Sequence, residues 1–330
     1  MGLREMEREI LHREKKTGTW RKWLLRGIVV LLLVGLGVAA EAGAWLLSRY
    51  REGAVREQEL TAQVERLQAS LAQGQAALEE AQQIIEQMKE YSVASPEGVV
   101  PEYTQLYPDF YAQPWTGETV SGGKTVCLTF DDGPSPNTDR VLAVLEEQGV
   151  KGTFFVVGKT GQKDQQRMRD IVAAGHTLAM HSWSHDYRKI YASVDAFLED
   201  CYQLYQWIYE VTGIYPQVFR FPGGSVNGYD RGIYQEIVAE MTRRGFVYFD
   251  WNASAQDATA KPLDPAVIRD NCLKGIGREL VVVLSHDSTA RTTTVEALPS
   301  IIQGYRDAGY TFAPLTPGVT PVILAYKREK

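Results

Sequence analysis

The feature that most constrains the fold is an alternation of two kinds of segment between residues 122 and 315. Apolar runs of four or five residues are typical of strands, and the longer amphipathic stretches between them are typical of helices. Several helical stretches end near a glycine, a residue that favours helix termination. This alternation predicts an α/β domain whose parallel sheet is closed, or nearly closed, into a barrel.

The alternation predicts seven strands and six helices. The predicted strands are Val126–Phe130, Thr153–Val157, Thr177–Met180, Val218–Phe221, Phe246–Phe249, Leu280–Leu284 and Thr311–Pro314. The predicted helices are Asn137–Gln148, Gln165–Ala174, Val194–Thr212, Tyr229–Arg244, Asp264–Lys274 and Thr293–Ala308.

Two adjacent carboxylates stand at the end of the first predicted strand. The stretch Val126–Pro134 is an apolar run that ends in Asp131, Asp132 and a Gly-Pro turn signal. In α/β barrels the catalytic groups lie where strands end, so both acids are expected at the mouth. Adjacent acids repel each other unless a positive group lies between them, which predicts a cation at this position.

Two histidines can complete a site for that cation. His181 and His185 are four residues apart and directly follow the predicted strand Thr177–Met180, so one turn of chain can bring them together. One carboxylate and two imidazoles form a set of three ligands that leaves a position open for water or substrate.

Four short motifs at predicted strand ends occur in a defined order. They are T-F-D-D-G-P at Thr129–Pro134, H-S-W-S-H at His181–His185, R-F-P-G-G at Arg220–Gly224 and L-S-H-D at Leu284–Asp287. Together they resemble the motifs of the polysaccharide deacetylases, the NodB-homology carbohydrate esterases of family 4. The resemblance covers about residues 122–315 and implies a distorted, seven-stranded (β/α) barrel.

Hydrolysis of an amide needs an activated water, a base, an oxyanion donor and an acid for the leaving amine. Asp132, His181 and His185 would hold a divalent metal; Zn²⁺ is favoured, with Co²⁺ or another divalent ion as the alternative. Asp131, next to the ligand aspartate, would be the general base. His286 would be the general acid, and the resemblance implies the same roles.

The third and fourth motifs supply the supporting residues. The resemblance implies that Arg220 orients the base and that the backbone N–H at Gly223 binds the oxyanion, although many relatives carry a tyrosine at this position. An aspartate is expected to hold the acid histidine, and Asp257 is favoured over Asp250 because Trp251 resembles a preceding tryptophan segment of the family. Trp251 and Leu284 are predicted to line the acetyl pocket.

The N-terminal region predicts export. Residues 1–26 carry a net charge of +4 and form a basic tail, and Gly27–Leu47 is apolar apart from Glu41. Twenty-one residues span about 30 Å as a helix, which is enough to cross a bilayer. We predict an uncleaved plasma-membrane anchor with a cytoplasmic N-terminus and an extracellular catalytic domain; a cleaved signal peptide is the alternative.

The remaining segments complete the domain organisation. Within residues 52–91, apolar or small side chains recur in steps of four and three, which predicts a coiled-coil stalk and a homo-oligomer; a single amphipathic helix is the alternative. Residues 92–121 are a predicted linker, 122–318 the catalytic domain and 319–330 a C-terminal tail. Without the basic tail the chain carries a net charge of −10, so no nucleic-acid partner is expected.

The three cysteines lack the spacing of a zinc or redox site, and they are predicted to be buried thiols.

These features predict a membrane-anchored, metal-dependent N-deacetylase that acts outside the cell on an N-acetylated glycan, with peptidoglycan N-acetylglucosamine favoured. The alternative substrates are other glycans, namely chitooligosaccharide, exopolysaccharide, N-acetylmuramic acid and O-acetylated xylan. A noncatalytic anchored module that binds glycan or scaffolds partners is the alternative of a different class.

Overall fold

The structure is a computed structural model, and it describes residues 35–37, 43–51, 53–66, 68, 100–117, 119–120, 123–230 and 232–324. The chain divides into two compact units, residues 1–99 and 100–330. In the first unit, residues 43–51 and 53–66 are helical, and the side chains of Trp45, Leu60 and Val64 are exposed. Within the described ranges, no helix is both long and apolar enough to span a bilayer.

Several predictions fall on residues that the structure does not describe. They concern the basic tail at 1–26, most of the anchor Gly27–Leu47, most of the stalk at 52–91 and the end of the tail at 325–330. The anchor, the coiled coil and the domain boundaries therefore stay predictions.

The second unit contains one parallel sheet of eight strands in its described part. The strands are β1 Thr125–Gly133, β2 Thr153–Val157, β3 Thr177–Ser182, β4 Val218–Phe219, β5 Val247–Tyr248, β6 Ala253–Ser254, β7 Leu280–His286 and β8 Thr311–Phe312. Their order is β5-β4-β3-β2-β1-β7-β6, and β8 pairs with the start of β1. The predicted parallel (β/α) arrangement is confirmed.

The prediction of seven strands was wrong by one. It missed β6, which has only two residues and lies outside any continuous apolar run. In the described part of the chain, the outer strands β5 and β6 form no ladder with each other, so the barrel is open between them.

Seven α-helices connect the strands in the described part of this unit. They are α1 Pro136–Glu147, α2 Gln162–Ala173, α3 Tyr187–Ile190, α4 Val194–Thr212, α5 Tyr234–Arg243, α6 Pro265–Leu273 and α7 Thr292–Asp307. The six predicted helices are present, and α3 is an additional short one. The helix predicted from Tyr229 begins later because Asn227 Oδ1 accepts hydrogen bonds from the backbone N–H groups of Tyr229 and Asp230, which forms a turn instead.

Side chains of β1 alternate between two environments. Val126, Leu128 and Phe130 belong to the large apolar core that includes residues of the helices, whereas Cys127 lies in a smaller cluster on the opposite face of the sheet. The same alternation directs Asp131 to the side of Cys127. The cysteines Cys127, Cys201 and Cys272 are free and buried, as predicted.

Residues 100–117, part of the predicted linker, pack on the catalytic unit. Arg244 is fully buried, and its guanidinium donates hydrogen bonds to the carbonyl oxygens of Tyr103, Leu106, Tyr107 and Phe110. Because one buried side chain donates to four carbonyl oxygens of the segment, Arg244 fixes the segment to the domain.

Candidate active site

The carboxyl ends of neighbouring strands bring the predicted residues to one edge of the sheet. Asp131 lies opposite His286 in the ladder between β1 and β7, and β3 ends at His181 and Ser182. The register of the β1–β2 ladder shifts after Asp131, and Asp132 has a left-handed φ of 69°. This kink separates the two carboxylates, so each one reaches a different set of partners.

Asp132, His181 and His185 form a candidate metal centre. One ligand atom from each residue lies within 4.8 Å of the other two. Asp132 Oδ1 is 3.2 Å from His185 Nε2 and 3.6 Å from His181 Nε2, yet this buried oxygen accepts no hydrogen bond from the described residues. Ligands at about 2.0–2.2 Å from one tetrahedral ion stand about 3.3 Å apart, so the spacing fits a single divalent ion.

The charge states of His181 and Asp132 also suit a cation. Burial lowers the pKa of His181 against the opposing effect of Asp131 and Asp132, so its imidazole is neutral and can coordinate. Burial would raise the pKa of Asp132, but His185 and His181 beside it outweigh burial and hold that pKa below its ordinary value. The aspartate is therefore ionised at neutral pH.

The turn between the two histidines is held by a buried carboxylate that the sequence did not reveal. Asp200, on α4, is 2% exposed and accepts hydrogen bonds from the hydroxyl groups of Ser182 and Ser184 and from the backbone N–H groups of Trp183 and Ser184. Ser182 Oγ in turn accepts a hydrogen bond from the N–H of His185, whose φ is 52°. Asp200 therefore maintains the left-handed turn that places His185.

Asp200→Asn is expected to weaken Zn²⁺ binding about 10- to 100-fold, because an amide cannot accept all four hydrogen bonds and the turn loosens. Competition with a chromogenic chelator measures the affinity. Glu199→Gln, which neutralises the exposed neighbouring acid on α4, is the matched control and should bind zinc like the wild type. Equal zinc affinity in both variants would contradict this role for Asp200.

Arg220 holds Asp131 from inside the barrel. The arginine is fully buried, and its Nη1 donates to Asp131 Oδ1 at 2.8 Å and to Thr129 Oγ1 at 2.7 Å. Its Nε donates to the carbonyl oxygen of Phe249, and its guanidinium lies over the Phe155 ring. These buried contacts fix the orientation of the Asp131 carboxylate.

Asp131 is more deeply buried than the sequence predicts for a side chain at the mouth of the barrel. It is 2% exposed, because strand alternation turns it toward the interior face. Its Oδ2 still lies 3.8 Å from His181 Nε2, at the border of the metal-ligand set. In the described part of the chain, this second oxygen accepts no hydrogen bond, so it is available to take a proton.

Asp257, rather than Asp250, contacts His286. Asp257 Oδ1 is 2.7 Å from His286 Nδ1, and Asp257 Oδ2 accepts hydrogen bonds from the His286 N–H and from Thr294 Oγ1. Asp250 instead accepts from the N–H and hydroxyl of Ser225 and from the N–H of Leu324. Burial would lower the pKa of His286, but Asp257 outweighs burial and raises that pKa to about 9.

In the pH–rate profile, Asp257→Asn is expected to shift the fall in rate at alkaline pH to lower pH by more than about one unit. A general acid must carry its proton, so the wild-type rate holds below the His286 pKa of about 9 and falls as pH rises through it. Without the Asp257 carboxylate, the pKa loses its largest raising influence, and burial outweighs more of what Asp131 and Asp132 still contribute, so the pKa falls. Rates of acetate release from pH 6 to about 10 measure the shift. Asp250→Asn is the control, and a fall in rate that shifts equally in both variants would contradict the assignment.

Two of the predicted substrate contacts, Gly223 and Trp251, lie at or beside the third motif, and Leu284 lies on β7. Gly223 has a φ of 79°, and its N–H has no hydrogen-bond partner in the described part of the chain. Trp251 is half-buried, packs against Gly224 and lies near the Arg220 guanidinium. Leu284 is 8% exposed and precedes Ser285 and His286 on β7.

One glycine of the first motif is required by a close approach. A Cβ on Gly133 would stand 2.5 Å from both carboxylate oxygens of Asp287, which is fully buried. Asp287 also donates its N–H to the carbonyl oxygen of Asp131. The end of β1, which carries Asp131 and Asp132, is thus packed directly on the end of β7.

The described sheet forms an open parallel barrel. One of its edges carries three potential metal ligands, a buried carboxylate and an imidazole paired with a carboxylate. Such a set of groups is typical of metal-dependent hydrolases. A sequence profile of the polysaccharide deacetylase family matches residues 119–242. The peptidoglycan-N-acetylglucosamine deacetylase of Bacillus cereus is 30% identical over 193 residues, which cover 57% of this chain and 68% of that protein.

Two solved structures of polysaccharide-deacetylase-type domains are also similar to this chain. The catalytic domain of a peptidoglycan N-acetylglucosamine deacetylase from Eubacterium rectale is 39% identical, with a TM-score of 0.60 over 64% of this chain and 98% of that one. A CE4 esterase of Streptococcus mutans is 31% identical, with a TM-score of 0.54 over 59% of this chain and 87% of that one. The chain belongs to the polysaccharide deacetylase family, and the predicted enzyme class, a hydrolase of amide bonds, is confirmed.

Proposed function

We propose that this enzyme is a metal-dependent N-deacetylase that removes acetyl groups from N-acetylglucosamine residues of peptidoglycan outside the cell. The observation that carries the proposal is the convergence of Asp132, His181 and His185 beside Asp131, which Arg220 holds. His286, on the neighbouring strand β7, is paired to Asp257. A divalent ion held by the three ligands supplies Lewis-acid polarisation of the acetyl carbonyl and of water.

The protein's own groups supply the proton transfers and the positioning. Asp131 Oδ2 accepts the proton of the attacking water, while Arg220 holds Oδ1 and keeps the carboxylate oriented. The N–H of Gly223 donates to the acyl oxygen as negative charge develops on it. His286 is protonated through its pairing with Asp257, and it gives its proton to the leaving amine from Nε2. The products are acetate and a glucosamine amine.

The substrate and the location rest on the relatives and on the N-terminal sequence. Two of the relatives above are named peptidoglycan N-acetylglucosamine deacetylases. The apolar segment Gly27–Leu47 would anchor the protein in the plasma membrane with the catalytic unit outside, and a helical stalk of roughly 45–60 Å would keep it near the cell wall. Paired stalks would make the enzyme a homo-oligomer.

Whole sacculi and muropeptide mass spectrometry test this function. The full-length protein is expected to produce muropeptides lighter by one acetyl group exchanged for hydrogen, with the change on the N-acetylglucosamine residue. Asp131→Asn is the control and should leave the muropeptides unchanged. Acetate release from another glycan but none from sacculi would contradict the substrate, and no release from any acetylated glycan would contradict the function.

A further inference from the structure

Tyr187, the first residue of α3, occupies the space beside Gly223. A Cβ on Gly223 would stand 2.6 Å from Cε1 of the Tyr187 ring and 3.1 Å from its hydroxyl oxygen. No side chain can fit at position 223 while the ring holds this place. The tyrosine comes from the second motif's loop, only two residues after His185, and thus brings a hydroxyl group to the third motif's turn.

The position of the ring is fixed by its neighbours. It meets the His185 ring edge-on with centroids 5.4 Å apart, and it also contacts Tyr191 and Tyr229. Tyr191 donates its hydroxyl hydrogen to the carbonyl oxygen of Pro222 at 2.8 Å, which ties the α3 loop to the turn before Gly223. The loop that carries Tyr187 and the turn that carries Gly223 are therefore fixed relative to each other.

Two hydrogen-bond donors without partners among the described residues, the Tyr187 hydroxyl and the Gly223 N–H, lie close together. In the described part of the chain, neither the Tyr187 hydroxyl nor the Gly223 N–H has a hydrogen-bond partner, and Tyr187 is half-buried. The N and Cβ of one residue are about 2.5 Å apart, so the hydroxyl oxygen lies within about 5.6 Å of the Gly223 nitrogen. One oxygen that accepts two hydrogen bonds of about 2.9 Å along lone pairs about 120° apart bridges donors about 5.0 Å apart, a separation inside that limit.

We propose that the Tyr187 hydroxyl is a second oxyanion donor that acts together with the Gly223 N–H on the acyl oxygen of the substrate. This inference rests on the proposed deacetylase function. When water adds to the acetyl carbon, the carbonyl π electrons move to its oxygen, and both donors face the charge that develops there. Tyr187 keeps its proton throughout, and its hydrogen bond is stronger in the transition state than in the ground state because negative charge develops on the acyl oxygen only there.

Tyr187→Phe in the full-length protein tests the proposal, with an N-acetylglucosamine oligomer as substrate and acetate release as the signal. The variant keeps the ring and its packing and loses only the hydroxyl. We expect kcat to fall about 100-fold while KM stays within about twofold. The Zn²⁺ affinity should equal that of the wild type, a readout that separates this role from a structural one.

Tyr229→Phe is the matched control, because Tyr229 contacts the same ring, is 55% exposed and keeps its packing as phenylalanine. It should retain kcat and KM. A Tyr187→Phe variant with the wild-type kcat, with only KM raised, or with weakened zinc binding would overturn the proposal while the wild type remains active. A wild type that releases no acetate would overturn the proposed function, and this inference would fall with it.

Discussion

Asp131→Asn is expected to lower the rate of acetate release by about 10²- to 10⁴-fold, the usual contribution of a general base. Asparagine is nearly the same size, and its carbonyl oxygen can still accept the Arg220 Nη1 hydrogen bond that is 2.8 Å long in the wild type. The change therefore removes basicity and leaves the local packing in place. Steady-state acetate release on an N-acetylglucosamine oligomer measures the effect.

The control for this variant is its metal affinity. Asp131 lies beside the ligand set, with Oδ2 3.8 Å from His181 Nε2, but it is not one of the three ligands. Asp131→Asn should thus bind one Zn²⁺ with an affinity close to that of the wild type. A variant that retains more than about one tenth of the activity would exclude Asp131 as the base.

Removal of the divalent ion is expected to lower activity by at least about 100-fold, because Lewis-acid polarisation contributes several kcal/mol to the transition state. Incubation with a chelator, followed by its removal and an acetate assay, measures the loss. Zn²⁺ or Co²⁺ should restore the rate. Mg²⁺ should not, because it prefers all-oxygen octahedral sites to a set with two imidazoles.

His181→Ala provides the matched test of where the ion acts. His181 is 4% exposed, and its Nδ1 is held 2.9 Å from the carbonyl oxygen of Arg220, which directs Nε2 to the ligand set. This variant should stay inactive when zinc is restored. Full activity of the wild type in chelator, or rescue of the variant by zinc at ordinary concentration, would contradict the assignment.

The candidate site was largely predictable because its residues lie in short motifs at strand ends. A run of apolar residues followed by Asp131 and Asp132, and a His181–His185 pair after another run, reveal both the strands and the groups they carry. Parallel strands place their carboxyl ends at one edge, so residues far apart in sequence meet there. The structure brings these side chains together, and their roles remain predictions until they are measured.

The residues that sequence reasoning missed act through contacts that no pattern marks. Asp200 is an acid on an amphipathic helix, and nothing in its neighbours shows that its carboxylate lies beneath a turn 16 to 18 residues earlier. Tyr187 fills a space that exists only because residue 223 is glycine. The short strand β6 was not predicted for a related reason. Ala253 and Ser254 form a strand because they pair with β7, and their local sequence shows no strand pattern.

The most direct test of the account is anomalous X-ray scattering at the zinc edge from crystals of the protein grown with Zn²⁺. If the three residues bind zinc as proposed, one strong peak per chain lies at about 2.0–2.2 Å from an Asp132 carboxylate oxygen and from Nε2 of both His181 and His185. No peak at this position, or a peak that lacks any one of the three ligands, would contradict it.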